Sequence, residues 1–235
     1  MRKLFRKSIF STTSKLGNFW RTFTVSLLFD TYCFHCKNRP TEGNGFLCNQ
    51  CLFSIKPSPV ETYGFRYLDG ALSFAPYEGI GKNYLQLIKF QGAKSLIPFL
   101  GEIVKPTFER FYKSIQPNIV TYVPTHPLRV LFTRGFDQTE EILKVIYPNY
   151  VTLFKRSPAP QRPLYLLGDK QKRAKHLKGS FKLVYKPLET LKGKKVLIVD
   201  DLLTTGATGE SLAYLLKSVG TKEVFLFTLF RRGGS

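Results

Sequence analysis

Residues 196–210 read VLIVDDLLTTGATGE, and the order of residue types in this stretch decides the fold. Val196 to Val199 form an unbroken apolar run, the pattern of a strand covered on both faces, as in a parallel sheet. In open α/β sheets ligands collect outside the carboxyl ends of strands, so Asp200 and Asp201 are expected at that edge. Carboxylates placed there accept hydrogen bonds from vicinal hydroxyls or hold Mg²⁺. Thr204, Thr205, Gly206, Ala207 and Thr208 follow with almost no side-chain bulk. Backbone N–H groups and short hydroxyls can therefore close around a phosphate at the start of the next helix. Leu212, Leu215, Leu216 and Val219 fall on one face of that helix, and Gly220 is placed to end it before a strand at Val224 to Phe230. A plain strand-to-helix turn with acids as caps is the competing reading, but a cap needs neither two acids nor a run of small residues.

This segment closely resembles the 5-phosphoribosyl 1-diphosphate (PRPP) motif of type I phosphoribosyltransferases. The resemblance implies that Asp200 and Asp201 are the catalytic acids and bind the ribose hydroxyls. It assigns the 5-phosphate to Thr204, Thr205, Gly206, Ala207 and Thr208.

Far upstream lie Cys33, Cys36, Cys48 and Cys51, spaced C-x2-C-x11-C-x2-C, and these are all four cysteines of the chain. Two close pairs can supply four thiolates to one tetrahedral Zn²⁺ at ~2.3 Å, leaving no open position for a substrate, so the expected site is structural. Disulfides are the alternative. The length of the chain and the lack of cysteine after Cys51 favour the metal. Zinc is expected, with iron as the other ion such a set can hold.

A chain of 235 residues, 43% hydrophobic and 14% aromatic, can bury one full α/β core plus a small appended module. Against 16 Asp and Glu stand 36 Lys and Arg, a formal net charge of +20. Such a field draws polyanions, so nucleic acid, an anionic membrane surface and free polyphosphate are all candidate partners, and charge alone does not choose among them. No acid precedes Asp30, and Arg2, Lys3, Arg6, Lys7, Lys15 and Arg21 alternate with Leu4, Phe5, Ile9, Phe10, Phe19 and Trp20. Residues 1–29 are therefore read as a basic amphipathic extension. It would lie on a membrane surface or a nucleic-acid backbone, pack on the cysteine module, or serve as a transit segment. The apolar stretch Phe23 to Phe29 is far short of the about 20 residues a bilayer span needs, and a cytoplasmic protein is expected.

Extended segments are predicted between Phe65 and Pro76, helices over Asn83 to Phe90 and Leu96 to Phe111, and a strand over Asn118 to Pro124. The exit of that strand reads THPLRVLFTRGFDQ, where Arg129 and Arg134 offer guanidinium forks suited to diphosphate oxygens. Asp137 is read as the cap of a helix running through Ile142 and Ile146. Between strands at Val151 to Phe154 and Phe181 to Tyr185 runs KRSPAPQRPLYLLGDKQKRAKHLKGS, a basic connection carrying Gln161, Arg162 and Arg173. Its length and charge mark it as a flap over a diphosphate or a segment following a nucleic-acid backbone. His126 and His176 sit on separate loops without an acid partner, which argues against a hydrolytic triad.

Taken together, the four-cysteine knuckle, YEGIGKNYLQLIKFQG at Tyr77 to Gly92, VPTHPLR, RGFDQ, Gln161 with a basic stretch ending in GSF, and VLIVDDLLTTGAT resemble the ComF competence-protein family in their order. The resemblance covers about residues 30 to 232. Two positions depart from it: Asp137 and His176 stand where the family usually has Asn. It implies an α/β, type I phosphoribosyltransferase-like fold with a parallel central sheet, preceded by a small four-cysteine zinc module. The expected division is 1–29 extension, 30–56 zinc-binding module and 57–235 phosphoribosyltransferase-like domain.

The resemblance also implies a PRPP- or ribose-phosphate-binding accessory factor in uptake of single-stranded DNA during natural transformation. DNA and the uptake machinery would be its partners, with peripheral membrane contact as a further expectation. The alternative is an active phosphoribosyltransferase that uses Mg²⁺ and PRPP to modify a nitrogenous base, with a hood at Tyr63 to Phe90 choosing the base. Thr204 stands where some relatives carry a carboxylate, and a threonine is a poor proton acceptor at neutral pH.

Overall fold

The computed structural model describes residues 32–41, 45–131, 135–157, 180–185 and 187–233. The expected basic extension, Arg134, Gln161, Arg162, Arg173 and His176 lie outside the described residues. Two compact units emerge, residues 1–49 and 50–235.

In the first unit the described chain folds back on itself around the first cysteine pair. The Cys33 N–H donates to Arg39 O at 2.7 Å and Phe34 N–H to Phe46 O at 2.8 Å. Lys37 N–H closes a turn onto Cys33 O at 2.9 Å, with Lys37 in the left-handed region at φ 57°.

The second unit is an α/β domain on a five-stranded sheet. Its strands are β1 (Val60–Thr62), β2 (Gly70–Pro76), β3 (Ile119–Tyr122), β6 (Lys195–Leu203) and β7 (Glu223–Arg231), in the order β1-β2-β7-β6-β3. β2, β7, β6 and β3 are parallel, and β1 pairs antiparallel with β2 at one edge. β4 (Phe154–Arg156) and β5 (Phe181–Leu183) form a separate antiparallel ribbon. The longer helices are α1 (Gly79–Phe90), α2 (Ile97–Ile115), α3 (Gln138–Ile146) and α4 (Ala207–Ser218). The α/β class with a mostly parallel central sheet stands as the sequence predicts.

The apolar run is the centre of this sheet. Val196, Leu197, Ile198 and Val199 are at most 1% exposed. β6 is flanked by β3 and β7, and both of its faces are covered. Burying each such side chain contributes roughly 1.5–3 kcal/mol. Val196 and Ile198 pack with Val224 and Leu226 of β7 on Leu212, Ala213 and Leu216 of α4. On the opposite face Phe108 of α2 meets Phe227 edge-on at 5.3 Å. α3 lies against α2 so closely that a Cβ on Gly101 would fall 2.5 Å from Val145 Cγ1.

This layering positions the site. β3 leads to α3 on one face of the sheet, whereas the adjacent β6 leads to α4 on the other. The carboxyl ends of β3 and β6 therefore flank a crevice where the chain turns opposite ways, the topological switch point at which open α/β sheets bind ligands. Strand β6 also runs further than the apolar pattern predicts, through Leu203, so both acids lie within the strand and not beyond it. Backbone pairing of Asp200 with Thr228 and of Leu202 with Phe230 carries the ladder past the two acids that interrupt the apolar run. The ribbon strand β4 starts three residues later than the predicted Val151 to Phe154, because Val151 N–H is already engaged with Val120 O at 2.8 Å.

Candidate functional site: an acid-tipped cleft at the sheet edge

A cleft of about 330 Å³ opens at this switch point, lined by Lys89, Thr125, His126, Gln138, Thr139, Arg156, Asp200, Asp201, Thr204 and Thr208 with neighbouring backbone. Each group arrives from a different part of the chain. Lys89 ends α1, Thr125 and His126 follow β3, Gln138 opens α3, Arg156 ends β4, and the acids and threonines belong to β6 and its exit.

Successive strand residues point to opposite faces, so Asp200 and Asp201 meet different surroundings. Asp201 is buried, with Oδ1 accepting from the Lys89 ammonium at 2.7 Å and Oδ2 accepting from the Gln138 side-chain amide. Asp200 Oδ1 accepts the backbone N–H of Asp201 at 2.8 Å. Burial, and then the adjacent charge of Asp201, push the Asp200 carboxyl up to about 8, despite the opposing pull of Lys89 and Arg156.

Two consequences follow from that last value. An unliganded Asp200 favours its protonated form near neutrality. Its folded pKa also exceeds the unfolded value of about 4, so the stability it confers is present in acid and is lost as pH rises from about 4 through 8. Asp200→Asn, which cannot ionise, should leave melting in acid nearly unchanged and raise the melting temperature at pH 8 by a few degrees, on the order of 1 kcal/mol or more. Parallel melts of both proteins across this range check it, and an equal slope with pH would refute the assignment.

The loop after β6 carries little side-chain bulk. Thr204 and Thr205 are exposed, and Gly206 adopts φ 75°, a left-handed conformation that starts α4 without a side chain. A Cβ there would lie 2.6 Å from Phe65 Cε1. Glu210 fixes the same corner by accepting the backbone N–H of Arg66 at 2.5 Å and of Tyr67 at 2.8 Å.

Asp137 serves as a cap, as the sequence predicts, and does more. Its carboxylate accepts from the backbone N–H groups of Thr139 (3.0 Å) and Glu140 (3.3 Å) at the start of α3. It also accepts from Thr125 N–H (2.6 Å) and Thr125 Oγ1 (3.1 Å). The carboxylate thereby ties the β3 exit loop to the helix that presents Gln138. Burial raises its pKa, and the hydrogen bonds from Thr125, Glu140 and Thr139 oppose that rise.

Of the residues singled out from the sequence, Asp200, Asp201, Thr204 and Thr208 line one cleft. Thr205, Gly206 and Ala207 belong to the same loop and helix start but are not among the lining residues. Arg129 falls in a one-turn helix, Pro127–Arg129, beside the cleft residue His126. Lys89, Gln138 and Arg156 were not picked out from the sequence as ligand-site residues. The signal for the first two was present, since Lys89 lies in YEGIGKNYLQLIKFQG and Gln138 ends RGFDQ. Arg156 carried none beyond its place in a basic run.

The four cysteines form a second constellation. Their Sγ atoms all lie within 4.8 Å of one another, and Cys36 Sγ is 3.9 Å from Cys48 Sγ. Sulfurs ~2.3 Å from a tetrahedral ion stand roughly 3.8 Å apart, so the set can hold a metal ion. Burial pushes the Cys33 thiol up, but backbone N–H groups of Cys48, Cys36 and His35 outweigh it and leave the pKa at about 6. That favours the thiolate a metal requires. Among the described residues, no helix is long and apolar enough to cross a membrane.

An α/β domain on a mostly parallel sheet, with a cleft at its switch point, thus follows a four-cysteine cluster that could hold a metal ion. The family model described as "Phosphoribosyl transferase domain" matches residues 164–235. The chain is also 28% identical over 159 residues to "Competence protein ComFC" of Streptococcus pneumoniae (strain ATCC BAA-255 / R6), a match covering 66% of this chain and 65% of that protein. The similarity to ComF competence proteins read from the sequence thus holds.

Proposed function

We propose that the cleft binds the 5-phosphoribosyl group of PRPP or of a related ribose phosphate, and that the protein acts as an accessory factor in uptake of single-stranded DNA. The observation that carries this reading is convergence. Segments as far apart as Lys89, Thr125, Gln138 and Thr208 supply polar groups to one crevice at the switch point of a parallel sheet. In this reading Asp200 and Asp201 face the ribose hydroxyls, and Thr204, Thr205, Gly206, Ala207 and Thr208 receive the 5-phosphate. Arg129 and Arg134, with the basic flap bearing Gln161, Arg162 and Arg173, serve the diphosphate, whose companion ion would be Mg²⁺.

The four thiolates hold a structural zinc ion, and the chain divides into a basic extension (1–29), a zinc module (30–56) and a ribose-phosphate-binding domain (57–235). The protein works in the cytoplasm, where its charge of +20 favours contact with DNA phosphates and an anionic membrane surface. A transferase acting on a nitrogenous base is the second reading. The exposed Thr204, which offers no basic side chain, weighs toward binding over catalysis.

Titration calorimetry with PRPP and Mg²⁺ tests the site. Wild type should bind, and Asp200→Asn combined with Asp201→Asn should lower affinity by on the order of a hundredfold, the loss expected when both carboxyl contacts go. Unchanged affinity in that variant would refute the assignment. Single-stranded DNA titrated at several salt concentrations tests the partner, because contact with phosphates demands a falling affinity as salt rises. Diphosphate release from PRPP across a panel of bases would favour the second reading.

A further inference from the structure

The acid pair of β6 does not stand as two bare carboxylates. Both oxygens of Asp201 are engaged by protein donors, Oδ1 by the Lys89 ammonium at 2.7 Å and Oδ2 by the Gln138 amide. The pair is shielded, with the Lys89 side chain 17% and the Asp201 side chain 11% exposed. Mg²⁺ demands near-octahedral oxygen ligands and gives up water reluctantly. At Asp201 it would have to displace an ammonium already in contact, or sit beside it against like-charge repulsion. The donor set at Asp201 therefore does not suit Mg²⁺. An anionic sugar phosphate meets the converse difficulty, since a bare Asp201 carboxylate would repel its phosphate. Lys89 cancels that charge from within the cleft wall, and Arg156 adds a second cationic side chain to the lining.

We propose that Lys89 is a built-in counterion of Asp201, which lets the cleft take an anionic sugar phosphate without a divalent metal. The inference rests on the sugar-phosphate reading of the cleft and refines it. Mg²⁺ becomes the companion of a diphosphate and not a requirement of the acids. Ribose 5-phosphate, which lacks the diphosphate, separates the two. Lys89 acts here through Asp201, as a positioning and charge-balancing residue.

The experiment is calorimetric titration of the full chain with ribose 5-phosphate, once in EDTA and once in Mg²⁺. Wild type should bind with affinities that agree within about twofold. Lys89→Met should lose on the order of tenfold or more in EDTA and recover most of the loss in Mg²⁺, whereas Lys89→Arg should stay near wild type in both. Wild-type binding that requires Mg²⁺, or a Lys89→Met protein that binds as wild type in EDTA, would overturn the inference and leave the site reading intact. No binding by wild type in either buffer would overturn the site reading and the inference with it. Should Lys89→Met fail to fold, as its melt would reveal, the wild-type pair of titrations decides alone.

Discussion

Replacing Cys48 with serine is expected to abolish metal binding at the four-cysteine cluster and to unfold the chain around it. Cys48 is buried, and its sulfur lies among three others within 4.8 Å. A serine hydroxyl is a poor ligand for a soft, thiolate-preferring ion, so the change removes one of four bonds and leaves an ion with an open position. Metal binding of this kind supplies about 10–16 kcal/mol to the folding of small cysteine modules, so even a partial loss exceeds what the backbone hydrogen bonds of residues 33–46 can replace. Elemental analysis should find about one equivalent of zinc in wild type and almost none in Cys48→Ser. Limited proteolysis should then cut the variant between residues 32 and 52. A variant that keeps its metal and its protease resistance would show the cluster to be something other than a metal site.

Gly206→Ala is expected to have the second-largest effect, on stability and on ligand affinity together. The residue sits at φ 75°, where an L side chain costs about 1–2 kcal/mol. Its new methyl group would also stand 2.6 Å from Phe65 Cε1. Phe65 is itself packed against the α4 face of the core, so its retreat disturbs packing at a further cost of about 1–3 kcal/mol. For a protein of this size the melting temperature should fall by on the order of 10 °C. Because Gly206 joins Thr205 to the first turn of α4, the proposed ribose-phosphate affinity should fall with it. Gly193→Ala separates the two causes, since Gly193 has φ 71° with nothing within 4 Å of the added carbon. It should show the backbone cost alone. If Gly206→Ala melts no lower than Gly193→Ala, the close approach to Phe65 is not what fixes this turn.

How far the sequence could be read follows from where its signals are local. The apolar run of β6, the amphipathic face of α4 and the glycine that ends this helix are written in neighbouring residues, and the structure has each within a few positions. The cap at Asp137 was legible for the same reason, because a carboxylate ahead of a helix acts on amides two and three residues away. Its second role was not. Thr125 lies 12 residues off and reaches Asp137 only when the exit of β3 and the start of α3 are brought together. The late end of β6 escaped prediction because the two acids break its apolar run after Val199, whereas the ladder to β7 continues past them on backbone atoms.

What the sequence determined by itself was the α/β class, the parallel core around Val196 to Val199, the acid-tipped strand with its small-residue loop, and the pairing of four cysteines into one cluster. All of these depend on residue type at short separation. Only the tertiary structure decided what surrounds each acid. It set Lys89 against Asp201 across a separation of 112 residues and Gln138 across 63, and among the described residues it gave Asp200 no such partner. That asymmetry arises from the pleat, which turns adjacent side chains to opposite faces of the sheet, and from the packing of α1 and α3 on one of those faces. Two identical residues, adjacent in the chain, thereby become one paired carboxylate and one whose proton is held to about pH 8.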